Sequence, residues 1–251
     1  MFICVYLCSI LLFLSACRQE DETWAHIQET GVLRVGLDPT YPPFENADAP
    51  DLQGIDIDLA HALANELGVQ VEFVLFGYDG LYDALATNQV DVLLSALVIV
   101  PERMRDFAYS EPYFNAGEVL IVRENEANIR EMADMNGRSL AVELGAQGHV
   151  EATSWERKLP NLTVLPYNTQ DEALTAVVTG TADAALIDAI SGRLFLRSTF
   201  GLKRITPAVT VEPFSVVVRI ENAQLLENID TALTNLQNNG KLEEIIAHWL
   251  D

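Results

Sequence analysis

Short apolar runs alternate with longer segments of helical periodicity along most of the chain. The strand-like runs are Leu33–Leu37, Val69–Phe76, Val90–Leu94, Ser139–Glu143, Leu162–Tyr167, Ala184–Ile187 and Ser215–Arg219. Between them lie segments in which apolar residues recur every three or four positions, as expected for helices that pack on a sheet. Such alternation is typical of α/β folds with mostly parallel sheets.

Two regions show the helical pattern clearly. In "DIDLAHALANELG" the apolar residues share one face: Leu59, Ala62, Leu63 and Leu67. Asp56 and Asp58 lie at the positive end of the predicted helix dipole, and Gly68 ends the helix. The C-terminal segment "IDTALTNLQNNGKLEEIIAHWL" predicts two amphipathic helices separated at Asn239-Gly240.

A weak internal repeat predicts two similar lobes. "LYDALATNQVDVLLSA" (Leu81–Ala96) aligns with "ALTAVVTGTADAALID" (Ala173–Asp188), 92 residues further on. In open α/β sheets, ligands bind beyond the carboxyl ends of strands. Here those ends carry Ser95 and Ala96 in the first unit and Asp188 in the second. Asp188 is equally well placed to cap the helix that follows it.

The charge balance excludes some partners. The formal net charge is -22, from 15 Lys and Arg against 37 Asp and Glu, while 49% of the residues are hydrophobic. This composition predicts a folded protein with a packed core. Nucleic acid binding needs clustered basic residues, so we expect no nucleic acid partner. The same charge keeps the chain away from anionic lipid.

The N-terminus has the pattern of a secretory leader. Residues 1–16 carry no charge and end in small residues, after which the chain turns polar. They predict a signal peptide, with an uncleaved anchor as the alternative. "LSAC" resembles the lipobox of bacterial lipoproteins, which implies lipid modification of Cys17 and a lipid-anchored linker over residues 17–30. The absence of Lys or Arg before the apolar stretch departs from that pattern. The processed chain would keep one cysteine and no internal disulfide.

The order of the motifs resembles the periplasmic solute-binding proteins of polar amino acid ABC uptake systems, extracellular solute-binding protein family 3. The matching stretches are "LRVGLDPTYPPFE", "GIDIDLAHAL", "GYDGLYDAL", "VDVLLSALVIVPERMRDFAYSEPY", "NGRSLAVELGAQG", "GTADAALIDA" and "NNGKLEEIIAHWL". The resemblance implies a type II periplasmic-binding-protein fold with two lobes, each a mostly parallel sheet flanked by helices, joined by two hinge crossovers. Lobe 1 would comprise residues 31–114 and 212–251, and lobe 2 residues 115–211.

The same resemblance implies a function and its partners. The protein would capture a polar amino acid or related small zwitterion outside the cytoplasm, by lobe closure, for uptake through an ABC transporter permease. We expect a monomer without a cofactor, which contacts the membrane through its lipid anchor alone. "FAYSEPYF" would lead from the first lobe into the crossover, with its aromatic rings in packing roles.

Several residues match positions that bind the ligand in the family. Arg103 would hold the α-carboxylate bidentately; a salt bridge to Glu102 or Asp106 is the alternative. Asp188 would accept the ligand ammonium, together with a backbone carbonyl at Ser95 or Ala96.

Further family positions would complete the site. Ala146 and Gln147 would offer backbone N–H groups to the ligand carboxylate, unless "GAQG" is a purely structural turn. Tyr41 and Tyr78 would enclose the ligand side chain, although a tyrosine beside "PPF" also suits the core. Asp38 would set side-chain selectivity or cap a turn.

One position departs from the family pattern. Val98 stands where the family usually has Ser or Thr, whose hydroxyl donates to the ligand carboxylate, and Val100 replaces a usual Thr. Loss of one bond to a charged group should weaken binding by about 1.5 to 3 kcal/mol. Either the ligand binds less tightly, or it is not a standard α-amino acid.

Two other classes of function fit the same resemblance. Cyclohexadienyl dehydratases share the fold; for such an enzyme His149 and Glu143 would be the candidates, although the chain has no metal-ligand histidine spacing, no nucleophile elbow and no phosphate loop. We therefore predict a protein that is not an enzyme. A sensory ligand-binding module is the third possibility, in which signalling would need a partner.

Overall fold

The computed structural model describes residues 21–47 and 51–251. The signal peptide predicted at residues 1–16 and the lipidation predicted at Cys17 lie outside the described residues. The helices are α1 (Glu22–Thr30), α2 (Ile55–Leu67), α3 (Leu81–Ala86), α4 (Gln147–Glu156), α5 (Gln170–Val178), α6 (Ala189–Ser198), α7 (Ala223–Asn238) and α8 (Lys241–Leu250).

The strands fall into two five-stranded sheets and one two-stranded ribbon. They are β1 (Val32–Leu37), β2 (Gln70–Leu75), β3 (Val92–Leu93), β4 (Phe107–Tyr109), β5 (Phe114–Asn115), β6 (Glu118–Arg123), β7 (Ser139–Glu143), β8 (Thr163–Tyr167), β9 (Ala184–Asp188), β10 (Leu202–Arg204), β11 (Pro213–Phe214) and β12 (Val217–Arg219). The first sheet has the order β2-β1-β3-β12-β4 and the second β10-β6-β9-β7-β8. Strands β5 and β11 pair with each other and form what we call the connecting ribbon.

The α/β class is confirmed, but each sheet is mixed rather than mostly parallel. In the first sheet β1 pairs in parallel with β2 and β3, whereas β12 is antiparallel to β3 and β4. The second sheet repeats this scheme, with β7 parallel to β8 and β9, and β6 antiparallel to β9 and β10. The antiparallel strands adjoin the ribbon, where the chain passes between the sheets and reverses direction.

The residues that repeat along the sequence have equivalent roles in the two sheets. Asp91 Oδ2 accepts the backbone N–H of Arg34 in β1 at 2.8 Å. Asp183 Oδ2 accepts the backbone N–H of Ser139 in β7 at 2.9 Å. Each aspartate therefore joins the strand that it precedes to the neighbouring first strand of its own sheet, and the predicted duplication of the β-α-β unit is visible in the structure.

The described part of the segment predicted as a lipid-anchored linker, residues 21–30, is folded. Residues 22–30 form α1, which contacts α7 and β1. Asp21 caps the helix by accepting the N–H of Trp24 at 3.0 Å, and its other oxygen accepts the N–H of Leu225 at 3.0 Å. Ile27 is fully buried. A capping carboxylate and a buried anchor make this segment part of the folded body.

The C-terminal helices form as predicted, and α8 joins the two halves of the molecule. Gly240, at φ 80°, separates α7 from α8. Helix α8 contacts α2 and α7 beside the first sheet and α6 beside the second. Arg193 of α6 bonds Glu243 at 2.7 Å and Asp251 at 2.8 Å across this contact.

Candidate functional site

A cavity of about 400 Å³ opens beyond the carboxyl ends of β1 and β3, beside the connecting ribbon. Its lining residues are Asp38, Thr40, Tyr41, Tyr78, Ser95, Ala96, Val98, Glu212 and Phe214. The volume lies in the range of small-molecule sites. The position agrees with the rule that open α/β sheets bind ligands at the ends of their parallel strands.

Asp38 is held rigidly at the end of β1. Its backbone N–H donates to Ser95 Oγ at 3.0 Å. Its carboxylate accepts the N–H of Tyr78 at 2.8 Å and the hydroxyl of Thr40 at 2.7 Å. These bonds are those of a residue that caps a turn. They also fix the Asp38 carboxylate in the cavity wall.

Two tyrosines give the cavity aromatic walls. Tyr41 and Tyr78 remain 48% and 58% exposed, and both line the cavity. The ring of Tyr41 stacks on Phe44, with 5.7 Å between centroids and 14° between planes. Burial raises the pKa of Tyr41, and the negative charges of Asp188, Glu212 and Glu45 raise it further. The phenol is therefore protonated at neutral pH.

Ala96 lies on the cavity floor in an unusual backbone conformation. Its φ of 45° places it in the left-handed region, which is unfavourable for a residue with a Cβ. Its N–H donates to Asp56 Oδ2 at 2.7 Å. A buried carboxyl oxygen thus holds the strained residue in place.

Val98 lines the cavity where the family pattern would place a hydroxyl. It forms an isolated antiparallel bridge with Phe214 of β11, and its side chain offers no hydrogen bond to a bound carboxylate. This side of the cavity is therefore apolar.

Arg103 lies at the rim, outside the residues that line the cavity. It belongs to the 3-10 turn Pro101–Arg103 and is exposed, with its guanidinium carbon 4.0 Å from the ring centroid of Tyr82. The positive charge of Arg103 opposes the burial that raises the pKa of Tyr82. The expected alternative does not occur, because Asp106 pairs with Arg105 at 3.0 Å and Arg103 forms no ion pair with any residue that the structure describes.

The second-sheet candidates are not among the residues that line the cavity. Asp188 caps α6, with Oδ1 accepting from Ile190 N at 3.1 Å and Ser191 N at 2.9 Å. The N–H of Ala146 donates to the carbonyl of Glu143 at 3.2 Å. Gln147 is the first residue of α4, where an amide has no acceptor within its own helix.

Acidic residues around the cavity escaped the sequence analysis. Glu212 lines it directly. Glu118 of β6, directly opposite Asp188 in the sheet, is 5% exposed and has an oxygen without a hydrogen-bond partner. Burial raises the pKa of Glu118 to about 7, aided by Asp188, Glu212 and Glu151. No motif marked these residues, because they come together from segments that are distant in the chain, as Glu118 of β6 and Asp188 of β9 do within the second sheet.

His149, a candidate for the enzyme alternative, belongs to a turn. Gly145 N–H donates to His149 Nδ1 at 3.1 Å, which makes the histidine part of the "GAQG" turn that begins α4. Across residues 21–47 and 51–251, no group of three or more histidine, cysteine or acidic side chains is placed to hold a metal ion. None of the helices in these same residues is long and apolar enough to cross a membrane.

Two lobes, a connecting ribbon and a cavity at the strand ends define a two-lobed solute-binding protein. The family model for bacterial extracellular solute-binding proteins, family 3, matches residues 33–251. The chain belongs to this family.

Curated relatives and solved structures cover most of the chain. The chain is 29% identical over 231 residues to the L-cystine-binding protein TcyJ of Escherichia coli, covering 89% of this chain and 84% of that protein. It is 30% identical to the L-arginine-binding protein of Pseudomonas aeruginosa, covering 85% of each.

Among solved structures, an ancestral cationic amino acid solute-binding protein is 32% identical, with a TM-score of 0.64, over 91% of this chain and 100% of that chain. An ancestral cyclohexadienyl dehydratase is 26% identical, with a TM-score of 0.77, over 90% of this chain and 95% of that chain.

Proposed function

We propose that this protein captures a polar amino acid, or a small zwitterion of similar size, outside the cytoplasm and delivers it to an ABC transporter permease. The observation that carries the proposal is the cavity at the ends of β1 and β3, walled by two exposed tyrosines and a rigid carboxylate. The names of the relatives support the ligand class, because they bind cystine and arginine.

In the proposed binding mode, lobe closure surrounds the ligand. Arg103 pairs with the α-carboxylate from the rim, supported by the Gln147 amide in the facing lobe. The Ala146 N–H joins it only if it leaves the Glu143 carbonyl on closure. The second oxygen of Asp188 accepts the ammonium, together with a carbonyl at Ser95 or Ala96. Lobe boundaries at residues 31–114 with 212–251, and 115–211, place the hinge at the connecting ribbon.

The charges around the cavity favour a ligand with a positive side chain. Asp38 and Glu212 line it. In addition to burial, Asp188 raises the pKa of Tyr41 in its wall, and Glu212 raises the pKa of Glu118. Arginine or lysine would place a second cation among these carboxylates. An acidic side chain would meet like charge with no compensating base lining the cavity.

The proposed setting is the periplasm or the cell surface. Lipidation at Cys17, after removal of residues 1–16, would tether a monomer to the membrane.

A thermal-shift and calorimetric screen of the purified protein tests the function. The panel is L-arginine, L-lysine, L-cystine, L-histidine, L-glutamate and L-citrulline, whose side chain is uncharged. A ligand that binds only the folded state raises the melting temperature. We expect cationic members to stabilise the protein most and L-glutamate least.

Arg103→Ala should abolish the stabilisation, whereas Glu102→Ala, a neighbouring exposed residue in the same turn, should retain it. A panel without a single hit, or an Arg103→Ala protein that responds like the parent, would overturn the proposal.

Catalysis is the second candidate, because the chain is similar in fold to an ancestral cyclohexadienyl dehydratase. We propose that the protein is not an enzyme, since the imidazole of His149 is engaged in the α4 turn. Incubation with prephenate or arogenate, followed by analysis for product, decides between the two. Turnover that is lost in His149→Ala would replace the binding proposal with the enzyme.

A further inference from the structure

Two acidic side chains are completely buried beneath the cavity floor. Glu45, in the loop after β1, and Asp56, in the first turn of α2, are both 0% exposed. Asp56 Oδ2 accepts the N–H of Ala96 at 2.7 Å and the hydroxyl of Tyr113 at 3.0 Å. Its other oxygen and both oxygens of Glu45 have no hydrogen-bond partner among the described residues.

The electrostatics of this pair do not allow two negative charges. A buried carboxylate needs a cation or several donors to offset its desolvation. The charges that act on Glu45 are those of Asp56 and Asp38, and both are acidic. Each carboxyl therefore has at least one oxygen that receives no hydrogen bond from a described residue. One proton between the two groups supplies the missing donor and removes one of the charges.

The pKa shifts of the two carboxyls agree with a shared proton. Burial raises the pKa of Glu45, and the neighbouring Asp56 raises it further, against the lowering effect of the nearby Ser95 hydroxyl. Burial also raises the pKa of Asp56, against the lowering effect of the Ala96 N–H. The pKa of Tyr113 is raised well above its ordinary value by burial and by both carboxyls, so its hydroxyl keeps its proton and continues to donate to Asp56.

The pair is connected to both the cavity and the ribbon. Asp56 holds Ala96, whose left-handed backbone forms part of the floor. Tyr113 comes immediately before β5. Phe44, adjacent to Glu45, packs edge-on against Phe114 and Phe214, at centroid distances of 5.2 and 5.3 Å. A charge that forced Glu45 and Asp56 apart would therefore disturb the floor and the ribbon together.

We propose that Glu45 and Asp56 hold a single proton between them, and that this protonated pair is the positioning element that fixes Ala96 and the floor of the cavity. Neither residue contacts the solute; Glu45 acts through Asp56, and Asp56 acts through the Ala96 amide. Removal of the proton leaves adjacent negative charges, with Asp38 as a third at the end of β1. The pair then separates and Ala96 loses its acceptor.

Infrared spectroscopy tests the shared proton without any ligand. At pH 8 a carboxyl group of ordinary pKa is ionised. An absorption band of protonated carboxylic acid should therefore come only from carboxyl groups whose pKa is raised. We expect such a band in the parent and its reduction in Glu45→Gln, with the exposed Glu29→Gln as a control that leaves it unchanged. Absence of the band in the parent, or a band that survives both Glu45→Gln and Asp56→Asn, would overturn the shared proton.

Hydrogen exchange at the Ala96 amide tests the positioning role, again without ligand. The reference is the amide of Leu94, which donates to the Gly36 carbonyl nearby. Base accelerates the exchange of every amide, and the ratio of the two exchange rates cancels this common effect. We expect the relative protection of Ala96 to fall at least tenfold from pH 7 to pH 10 in the parent and to stay constant in Glu45→Gln, whose amide is a permanent donor. An unchanged ratio in the parent would refute the role.

The effect on solute binding rests on the proposed function and is measured with L-arginine by calorimetry. The affinity of the parent divided by that of Glu45→Gln cancels the titration of the ligand itself. We expect this ratio to be within about threefold of one at pH 7 and to drop at least tenfold by pH 10. A constant ratio contradicts the proposal. If L-arginine does not bind at all, the function fails, while the infrared and exchange results still decide on the pair.

Discussion

Glu118→Gln should reveal a buried carboxyl that titrates near neutral pH. Glu118 is 5% exposed with one oxygen unpartnered, and its pKa rises from 4.5 to about 7 through burial first and then through Asp188, Glu212 and Glu151. A raised carboxyl pKa means that the folded state binds the proton more tightly than the unfolded state. Its contribution to stability is complete below pH 4.5 and is lost as the pH rises to about 7.

The magnitude follows from the size of the shift. One pKa unit corresponds to about 1.4 kcal/mol, so this shift corresponds to about 3 kcal/mol of unfolding free energy. Glutamine keeps the shape of the protonated acid and cannot ionise. The variant should therefore become more stable relative to the parent by up to about 3 kcal/mol between pH 4.5 and pH 7, with no further change above pH 7.

Urea unfolding at several pH values from 4.5 to 8.5 measures this difference. Glu45 and Asp56 contribute equally to parent and variant, so their titration cancels in the comparison. The exposed Glu29→Gln provides a control whose difference from the parent should not vary with pH. A constant difference between Glu118→Gln and the parent would show that folding does not raise the pKa of Glu118 and would refute the reasoning.

Two further substitutions test the apolar wall of the cavity and the contact across α8. Val98→Thr restores a hydroxyl and should strengthen binding of an α-amino acid by about 1.5 to 3 kcal/mol, measured by calorimetry, while Val100→Thr should not; equal affinities would show that no carboxylate lies beside residue 98. Arg193→Met removes three charge-assisted hydrogen bonds to exposed carboxylates, one to Glu243 at 2.7 Å and two to Asp251 at 2.8 and 2.9 Å. It should lower the unfolding free energy by about 1 to 2 kcal/mol, compared with the exposed Arg157→Met, and an unchanged value would show that this contact contributes nothing.

Much of the fold followed from local pattern. The periodicity of α2, with Leu59 and Leu63 inside, and the break at Gly240 were correctly predicted because they depend on near neighbours in the chain. Strand boundaries were less accurate: Val90–Leu94 contains only the short β3. The antiparallel strands were missed because strand direction in each sheet depends on where the chain crosses between lobes, which periodicity does not encode.

In the candidate site, too, some positions follow from the local sequence and others do not. Asp38, Tyr41, Tyr78, Ser95, Ala96 and Val98 line one cavity, and all of them follow or face strand ends of the first lobe. Arg103 and the second-lobe candidates do not line this cavity. Their proposed roles require lobe closure, which the local sequence does not encode.

The buried acids were missed for a different physical reason. Composition counts every Asp and Glu as a solvated charge, and Asp56 was accordingly assigned to a helix dipole. Its burial, and that of Glu45 and Glu118, arises from packing between distant segments. Once buried, Glu45 and Glu118 have raised pKa values, so part of the formal charge is neutralised next to the cavity. The field that a solute meets is therefore weaker than the sequence charge suggests, and it depends on pH where Glu118 titrates.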